Sequence, residues 1–483
     1  MNDEPTLGAR IAEFAVRAVR DGVPDEVIAS VGQRTLDVLG LCVAAYRLPT
    51  SAAIVEHVRE QGGHGQATAI GYPQPVTAAQ AALVNGVLAH SLDYDDTHLP
   101  SILHPSASVV PAALAAAEHA GATGEVTARA IAVGLEVAVR LGMAGYDETL
   151  RNSVFFEHGQ HATSITGAMG SAVAAALIYG GGEAEVLHAL GLTASMASGV
   201  IEANRTGGTV KRLHCGLAAQ AGVTAAQLVR RGFTGPPTIL EGRFGFFQAW
   251  LHGQYFPEKV TEGLGTTWSV PGIFFKPYPA NHFTHTVVDA GRALRERGVR
   301  PEDVASVVVG VPSAVLRTIG QPIEVKRAPE TGYQAQFSGP YAVAVGLFGG
   351  GGLGAGLDDY TDELARDPAR RALMAKVDVV GDPRCDEIYP YQFPAIVRVR
   401  TTSGEELVEE VLTNRGGPAR PLTDEELAVK FRDNVAGRLP EPVAESVRRD
   451  VLALAAAPAI GPILARLANL TRTASDGPAG APQ

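Results

Sequence analysis

The sequence is poor in cysteine, in aromatic residues and in net positive charge. Its three cysteines, Cys42, Cys215 and Cys385, are far apart and form no CxxC pair, which argues against a disulfide framework and a zinc knuckle. Lys and Arg number 40 against 51 Asp and Glu, and the net charge of −11 predicts no nucleic-acid partner. The first residues lack the basic-then-apolar pattern of a signal peptide, so we expect a reducing, cytoplasmic location.

Long runs of leucine or phenylalanine are also missing. An uncharged stretch over residues 162–182 is built mainly from Ala, Gly, Ser and Thr, which predicts a tightly packed buried helix and no membrane partner. With 46% hydrophobic and 19% charged residues, the chain is expected to be globular. Its length of 483 residues corresponds to about two or three domains.

Residue periodicity divides the chain into helical and mixed parts. In the first part apolar residues recur every three or four positions, as in GARIAEFAVRAVRDG, which predicts helices. Further along, VASVVVGVP predicts a strand, AIVRVRTTSGEELVEEV a hairpin, and PEDVAS and THTVVDAGRALRERG helices. From TDEELAVKFRDNVAG onward the pattern is helical again, with Thr423 and Glu426 at the spacing of a capping box.

These patterns predict a mainly α protein with an α+β second domain. We expect a helical domain over residues 1–270 and a smaller α+β domain over 271–405. The chain is then expected to return to the helical domain over 406–470 and to end in a disordered tail over 471–483.

Four polar segments interrupt the apolar sequence: HSLDYDDTHLPSILHPS, FFEHGQHATS, EANRTGGTVKRLHCG and FKPYPANHFTH. Each alone has an ordinary structural explanation, such as a solvated loop, a helix cap or a basic turn. Together they offer His, Asp and Lys side chains, the composition of a proton-transfer site for an anionic substrate. The candidate residues are Asp93, Thr97, His104, His161, Lys211, Arg212, His214, Lys276, Asn281 and His282.

The third segment predicts an anion site. Gly207 and Gly208 precede Lys211 and Arg212, and we expect a helix to begin near Gly216. Free backbone N–H groups at a helix start, with cations alongside, attract anions. The GxxxxGK[ST] spacing of a P-loop is absent and no GxGxxG follows a strand, so a nucleotide cofactor is not expected.

A metal site is the competing interpretation of the first segment. Six side chains in it have the chemistry of ligands for a divalent ion. The sequence has neither an HExxH motif nor a short HxH pair, and nearby lysines would compete with a cation. We therefore predict no metal. The potential ligands are His90, Asp93, Asp95, Asp96, His98 and His104.

In these segments the sequence resembles the MmgE/PrpD family, which includes 2-methylcitrate dehydratase and cis-aconitate decarboxylase. The resemblance is carried by HSLDYDDTH…HPSASVVPAALA, GQHATSITGAMGSAVAAA, GGTVKRLHCGLAAQAGV, FKPYPANHFTHTVVDA and FSGPYAVAVGL. It implies a large all-helical domain with a smaller α+β lid domain, a homodimer and an enzyme without a cofactor.

The resemblance also implies a set of active-site positions, those of the decarboxylase branch of the family. Two positions depart from that branch. Asn281, with His282 beside it, stands where the branch has a histidine, and Ile323 stands where it has a tyrosine. These departures argue against transferring cis-aconitate as the substrate. The matching positions are Asp93, Thr97, His104, His161, Lys211 and Lys276.

The sequence thus predicts a cofactor-independent lyase that dehydrates or decarboxylates a small di- or tricarboxylate. Both reactions place negative charge on a carbon beside a carboxylate, so they need fixed cations and a proton shuttle. Lys211, Lys276 and Arg212 are expected to bind the carboxylate groups of the substrate. His104 and His161 are expected to act as general acid and base, with Asp93 orienting one of them.

Three alternatives stay open: an isomerase or epimerase on the same scaffold, a metal-dependent hydrolase, and a binding protein without catalysis. One local expectation concerns His104, which Pro105 and Ser106 follow. Pro favours the first turn of a helix, so His104 should lie at or just before a helix N-terminus. The helix dipole disfavours the protonated form of His104, and Asp93 favours it. We therefore expect the pKa of His104 to lie near or above that of an ordinary histidine.

Overall fold

A computed structural model describes residues 4–203 and 208–471. Gly207 of the predicted anion loop and residues 472–483 of the predicted tail lie outside the described residues. The chain divides into two compact units. One comprises Met1–Ile273 together with Asn434–Gln483, and the other comprises Phe274–Asp433.

The first part of the helical unit contains α1 (Leu7–Asp21), α2 (Asp25–Ala45), α3 (Pro49–Gln61), α4 (Ala78–Ala89), α5 (Ser106–Ala120), α6 (Gly124–Ala144), β1 (Tyr146–Asp147), β2 (Asn152–Ser153), α7 (Val154–Glu157), α8 (Ala162–Ile178), α9 (Glu183–Thr193), α10 (Val210–Val229), α11 (Phe246–Leu251) and α12 (Glu258–Thr261). The second unit contains α13 (His285–Glu296), β3 (Val304–Val311), α14 (Leu316–Ile319), α15 (Ile323–Arg327), α16 (Gly332–Ala335), α17 (Gly339–Phe348), α18 (Asp362–Ala365), α19 (Pro368–Met374), β4 (Val377–Gly381), α20 (Pro383–Ile388), β5 (Ala395–Thr401) and β6 (Glu406–Val411). The boundary with the helical unit falls within α21 (Asp424–Val435), after which come α22 (Glu441–Leu452) and α23 (Gly461–Leu464).

Helix α8 is the centre of the helical unit. All of its residues are buried, as expected for the uncharged stretch that begins at Ala162. It crosses α6 where Gly170 faces Gly134, and a Cβ atom on Gly170 would lie 2.4 Å from the Gly134 carbonyl oxygen. Small residues therefore allow the two backbones to approach closely.

Helix α2 is long and apolar enough to span a membrane, but 83% of its most apolar window is buried within the protein. It begins at Asp25 after Pro24, and it carries buried Arg34 and Asp37 along its length. Core helices of globular proteins share this length and composition.

The second unit is built around a four-stranded sheet of order β4-β3-β5-β6. Strands β3 and β4 are parallel, and the other two neighbouring pairs are antiparallel. The predicted hairpin is confirmed, because Ala395 pairs with Val411 and Arg400 with Glu406. The helical unit with a smaller α+β unit confirms the predicted fold class.

The predicted boundary at residue 405 is wrong. It cuts the hairpin between β5 and β6, and a strand that pairs along its whole length cannot leave its sheet. The second unit therefore continues to Asp433. The first boundary lies at 273 instead of 270, because Arg34 binds the carbonyl groups of Val270 and Ile273 and holds both residues in the helical unit.

Two local predictions also need correction. The helix expected near Gly216 begins earlier, at Val210, after Gly208 with its left-handed φ of 107°. In PEDVAS only Pro301–Asp303 is helical, as a single 3₁₀ turn, because the β-branched residues that follow join strand β3. The predicted capping box is confirmed, since Thr423 and Glu426 exchange hydrogen bonds of 2.8 and 3.2 Å.

Replacing Gly170 by Ala should destabilise the protein. The added methyl group would overlap the α6 backbone, and we expect a loss of about 1–3 kcal/mol in the free energy of unfolding measured with urea. Gly272→Ala is the matched control, because a Cβ atom there has nothing within 4 Å. Equal stability of the two variants would contradict the close crossing of α6 and α8.

Candidate active site

The loop after α4, residues 90–106, is buried. Its three aspartates, Asp93, Asp95 and Asp96, are 5%, 0% and 2% exposed, so the alternative of a solvated loop is wrong. Asp93 and Ile102 have left-handed φ angles of 52° and 53°. That conformation costs energy for any residue with a Cβ atom, and most for a β-branched one. Strain of this kind collects at functional sites.

An ion pair anchors this loop to α2. Arg34 Nη1 lies 2.9 Å from Asp96 Oδ2, and both side chains are almost fully buried. Ser106, the first residue of α5, donates to the same carboxylate through its hydroxyl at 2.5 Å and its backbone N–H at 3.3 Å. The Asp96 carboxylate therefore lies at the positive end of α5, where a negative charge is stabilised. Arg34 Nη2 donates to the carbonyl oxygens of Val270 and Ile273 at 3.0 and 2.6 Å.

His104 lies two residues before α5, so its predicted place at a helix N-terminus is confirmed. Its Nδ1 is 2.7 Å from the Asp96 carbonyl oxygen and 3.3 Å from Thr97 Oγ1. A carbonyl oxygen only accepts hydrogen bonds, so Nδ1 carries a proton and Nε2 is left for chemistry. The backbone N–H of His104 donates to Thr163 Oγ1 in the first turn of α8 at 3.2 Å.

His161 and His214 form a buried pair. His161 precedes α8, His214 belongs to α10, and their Nδ1 atoms are 2.9 Å apart. One of these nitrogens must donate and the other accept, so the two tautomers depend on each other. Burial, with the nearby His90 and Lys211, holds the pKa of His161 well below its usual value and lowers the pKa of His214 to about 4. Both rings are therefore neutral near pH 7.

His90 lies between the other histidines. It ends α4, is buried, and its Nδ1 is 2.6 Å from Asp95 Oδ2. Its ring centroid is 5.4 Å from that of His104 and 5.6 Å from that of His161. The sequence had suggested His90 and Asp95 only as metal ligands.

Lys211 brings a positive charge to this cluster. It lies in the first turn of α10, and its Nζ is 3.6 Å from Asp93 Oδ1. The neighbouring Arg212 points to a different place, because its Nη1 donates to Thr50 Oγ1 of α3 at 3.3 Å. The structure thus brings Lys211 to Asp93 and directs Arg212 to α3.

Three helices begin at this cluster. His104 precedes α5, His161 precedes α8, and Lys211 lies in the first turn of α10. Each helix is at least 15 residues long, and each N-terminus carries partial positive charge on its free N–H groups. Asp96 already accepts the Ser106 N–H at the start of α5, so the N-termini of α8 and α10 and Lys211 are the groups that favour a further anion.

Three predicted substrate-binding residues lie in the second unit. Lys276 and His282 are buried there, at 1% and 4% exposure. Asn281 has a structural task, because its side-chain oxygen accepts the backbone N–H of Phe283 at 3.1 Å. Ile323, the second departure from the decarboxylase pattern, is the first residue of α15.

Within residues 4–203 and 208–471, no three His, Cys, Asp or Glu side chains are arranged as metal ligands. The three aspartates that the sequence offers as potential metal ligands have protein partners. Asp93 faces Lys211, Asp95 binds His90 and Asp96 binds Arg34.

Comparison with known families identifies the scaffold. Residues 9–259 match the MmgE/PrpD N-terminal domain, and residues 278–454 match the MmgE/PrpD C-terminal domain. The chain belongs to the MmgE/PrpD family. The expected family and the enzyme class, a lyase of the MmgE/PrpD type, are thereby confirmed.

Named relatives of two kinds share this scaffold. The chain is 27% identical over 482 residues to a cis-aconitate decarboxylase of Aspergillus terreus, with 96% of each chain covered. It is 28% identical over 450 residues to the human cis-aconitate decarboxylase, covering 90% of this chain and 89% of the relative. A 2-methylcitrate dehydratase of Cupriavidus necator is 30% identical over 243 residues, 47% of each chain. The family thus contains both decarboxylases and dehydratases.

Sequence reasoning missed Arg34 and Thr163, and it named His90 only as a potential metal ligand. Arg34 and Thr163 position the loop and His104, and His90 occupies the middle of the histidine cluster. Arg34 had a readable signal, since a charged residue in the middle of an apolar helix must find a buried partner. Thr163 gave no signal, because a threonine in the first turn of a helix is ordinary.

Stability should fall as the pH drops below about 6.5. Burial lowers the pKa of His98 and His214 to about 4 and that of His161 well below its usual value. The unfolded chain then binds more protons than the folded chain, so this stability is complete above pH 6.5 and is lost as the pH falls toward 4.

Urea denaturation between pH 4 and 8 measures this effect. His98→Gln should reduce the dependence of the unfolding free energy on pH in this interval, whereas His57→Gln, an exposed histidine on α3, should leave it unchanged. A flat profile for the wild-type protein would contradict the neutral buried histidines.

Proposed function

We propose that the protein is a cofactor-independent lyase that dehydrates or decarboxylates a small di- or tricarboxylate by acid–base catalysis. One observation carries the proposal: four histidines and Lys211 meet where three helices begin. His104, His161 and His214 supply proton-transfer groups in different environments, and the helix N-termini supply positive charge. The named relatives, decarboxylases and dehydratases, support the same class of reaction.

The positive charge in the site favours a carboxylate substrate. Lys211 is 16% exposed at its side chain and is only 3.6 Å from Asp93, which holds its ammonium group in place. The N-termini of α8 and α10 add to its field. In both reactions negative charge develops beside a carboxylate, and fixed positive charge lowers the energy of that state.

The environments of two histidines suggest their roles. His161 is neutral near pH 7 because its pKa is held low, so it is suited to act as the base. His104 is half-buried, and its Nδ1–H is fixed on the Asp96 carbonyl group, so the imidazolium form presents its second proton from Nε2 as the acid and becomes neutral. Groups whose environments differ in this way divide acid and base work between them.

Further parts of the proposal rest on sequence resemblance. Thr97 beside His104 and the second-unit residues Lys276 and His282 are proposed to bind substrate. Arg212 and Asn281 are weaker candidates, since their side chains already bind Thr50 and Phe283. A homodimer and a cytoplasmic location are proposed on the same basis.

Two variants should fail in different ways. Proton NMR on a panel of carboxylates, including cis-aconitate and 2-methylcitrate, identifies the best substrate and separates dehydration, decarboxylation and epimerisation by product. On that substrate we expect His104→Gln to lower kcat by about 100-fold or more with little change in KM. Lys211→Met should mainly raise KM, because it removes a charge that holds the carboxylate.

Lys259→Met is the control, since Lys259 pairs with Glu148 at the surface, and it should behave as wild type. Full activity of both His104→Gln and Lys211→Met would refute the proposed site. Turnover of an epimerisable substrate without loss of water or CO₂ would favour the isomerase alternative.

Activity should survive exhaustive removal of metal ions. The aspartates of the loop are engaged by Lys211, His90 and Arg34, and the chemistry proposed needs only proton transfer and fixed charge. We expect dialysis against EDTA to leave kcat unchanged on the best substrate. Loss of activity that Zn²⁺ or Mg²⁺ restores would support the metal-dependent alternative.

A further inference from the structure

His90 is a buried titratable group that the proposed acid–base mechanism does not use. Its side chain and that of Asp95 are both 0% exposed, and Nδ1 lies 2.6 Å from Oδ2. A carboxylate accepts hydrogen bonds, so Asp95 holds the proton of His90 on Nδ1. The exchangeable position is therefore Nε2 on the opposite edge of the ring.

That nitrogen has no hydrogen-bond partner among the described residues. Native structures rarely leave a buried polar atom in this state, because it loses its interaction with water without compensation. The groups around this nitrogen are polar, so it does not simply lie in an apolar core. The adjacent rings are imidazoles, His104 at 5.4 Å and His161 at 5.6 Å between centroids.

The proposed dehydration leaves a proton that must move from His161 to His104, and His90 lies between these two residues. In a dehydration, His161 takes a proton from substrate carbon and His104 gives one to the departing hydroxyl group. After water leaves, His161 holds one proton too many and His104 one too few. His161 is only 2% exposed, so bulk water reaches it poorly.

We propose that, in a dehydration, His90, oriented by Asp95, relays the proton from His161 back to His104 after each turnover. Nε2 of His90 accepts a proton that originates on His161 and releases one to His104, and Nδ1 stays bound to Asp95 throughout. No proton is gained or lost in this cycle. At centroid separations near 5.5 Å, one hydrogen-bonded oxygen of water or substrate can connect two such rings. The relay rests on the proposed function.

His214 is the competing exit for the proton. It is bonded to His161 through Nδ1 at 2.9 Å, but it is itself buried at 5% exposure. The His90 ring lies 5.4 Å from the His104 ring and 5.6 Å from the His161 ring between centroids. Lys211 acts on both rings of the pair, and its Nζ is 3.6 Å from Asp93 Oδ1. A relay through His90 returns the proton to the group that needs it.

The relay predicts a difference between the first turnover and later ones. His90→Gln keeps a donor for Asp95 and a similar volume, but an amide cannot take up and release a proton in turn. In rapid-quench experiments on the carboxylate that the enzyme dehydrates best, we expect the first turnover to stay near the wild-type rate. Steady-state kcat should then fall by about 100-fold.

Three results would overturn the relay. A first turnover slowed as much as the steady state would place His90 in the chemical step, and an unchanged steady state would make it structural. The same burst in His214→Gln, but not in His90→Gln, would give the relay to His214. His98→Gln, another buried histidine of the loop bonded to Ser101 at 2.7 Å, is the control and should show no burst.

Nitrogen-15 NMR of the histidine rings tests the relay without any substrate. We expect His90 to be protonated at Nδ1, with Asp95→Asn removing this preference. Exchange of the His161 ring N–H with water should slow in His90→Gln and in Asp95→Asn, and unchanged exchange in both folded variants would overturn the relay. If no carboxylate is turned over by the wild type, the proposed function fails and this measurement alone decides the role of His90.

Discussion

The buried ion pair between Arg34 and Asp96 is the constraint on which the rest of the site depends. Burying two charges costs several kcal/mol in lost hydration, which is offset only where the geometry is good and the remaining polar atoms are bonded. Here the Ser106 hydroxyl and backbone N–H donate to Asp96, and Arg34 Nη2 donates to two backbone carbonyl groups. The backbone of Asp96 also accepts His104 Nδ1. One residue therefore fixes the start of α5, the course of the loop and the tautomer of a histidine.

The same principle extends to the other two carboxylates of the loop. Asp95 binds a histidine and Asp93 faces a lysine, so each negative charge has its own partner. The aspartates balance and orient the groups around them, while the anion-attracting field comes from helix N-termini and Lys211. An acidic protein can bind an acidic substrate in this way, because the local arrangement of charge matters more than the total.

Sequence patterns were sufficient for features that depend on near neighbours. Helix α8, the hairpin and the place of His104 before a helix follow from residues within a few positions of one another. The resemblance to the family predicted that His104 and His161 belong to the same site. Neither could reveal that Arg34 pairs with Asp96, 62 positions away, since only tertiary packing brings them into contact. The predicted boundary at 405 was wrong for a related reason. The composition of the sequence changes there, but strands β5 and β6 pair across that position.

The residues that the sequence singled out are divided between the two units. Arg34, Asp96 and the four histidines, which determine where protons reside, all belong to the helical unit. The two departures from the decarboxylase pattern, Asn281 and Ile323, both belong to the second unit. Proton transfer depends on exact tautomers and short contacts, and it tolerates little change. Recognition of a substrate's periphery depends on size and on a few polar groups, and it varies more easily.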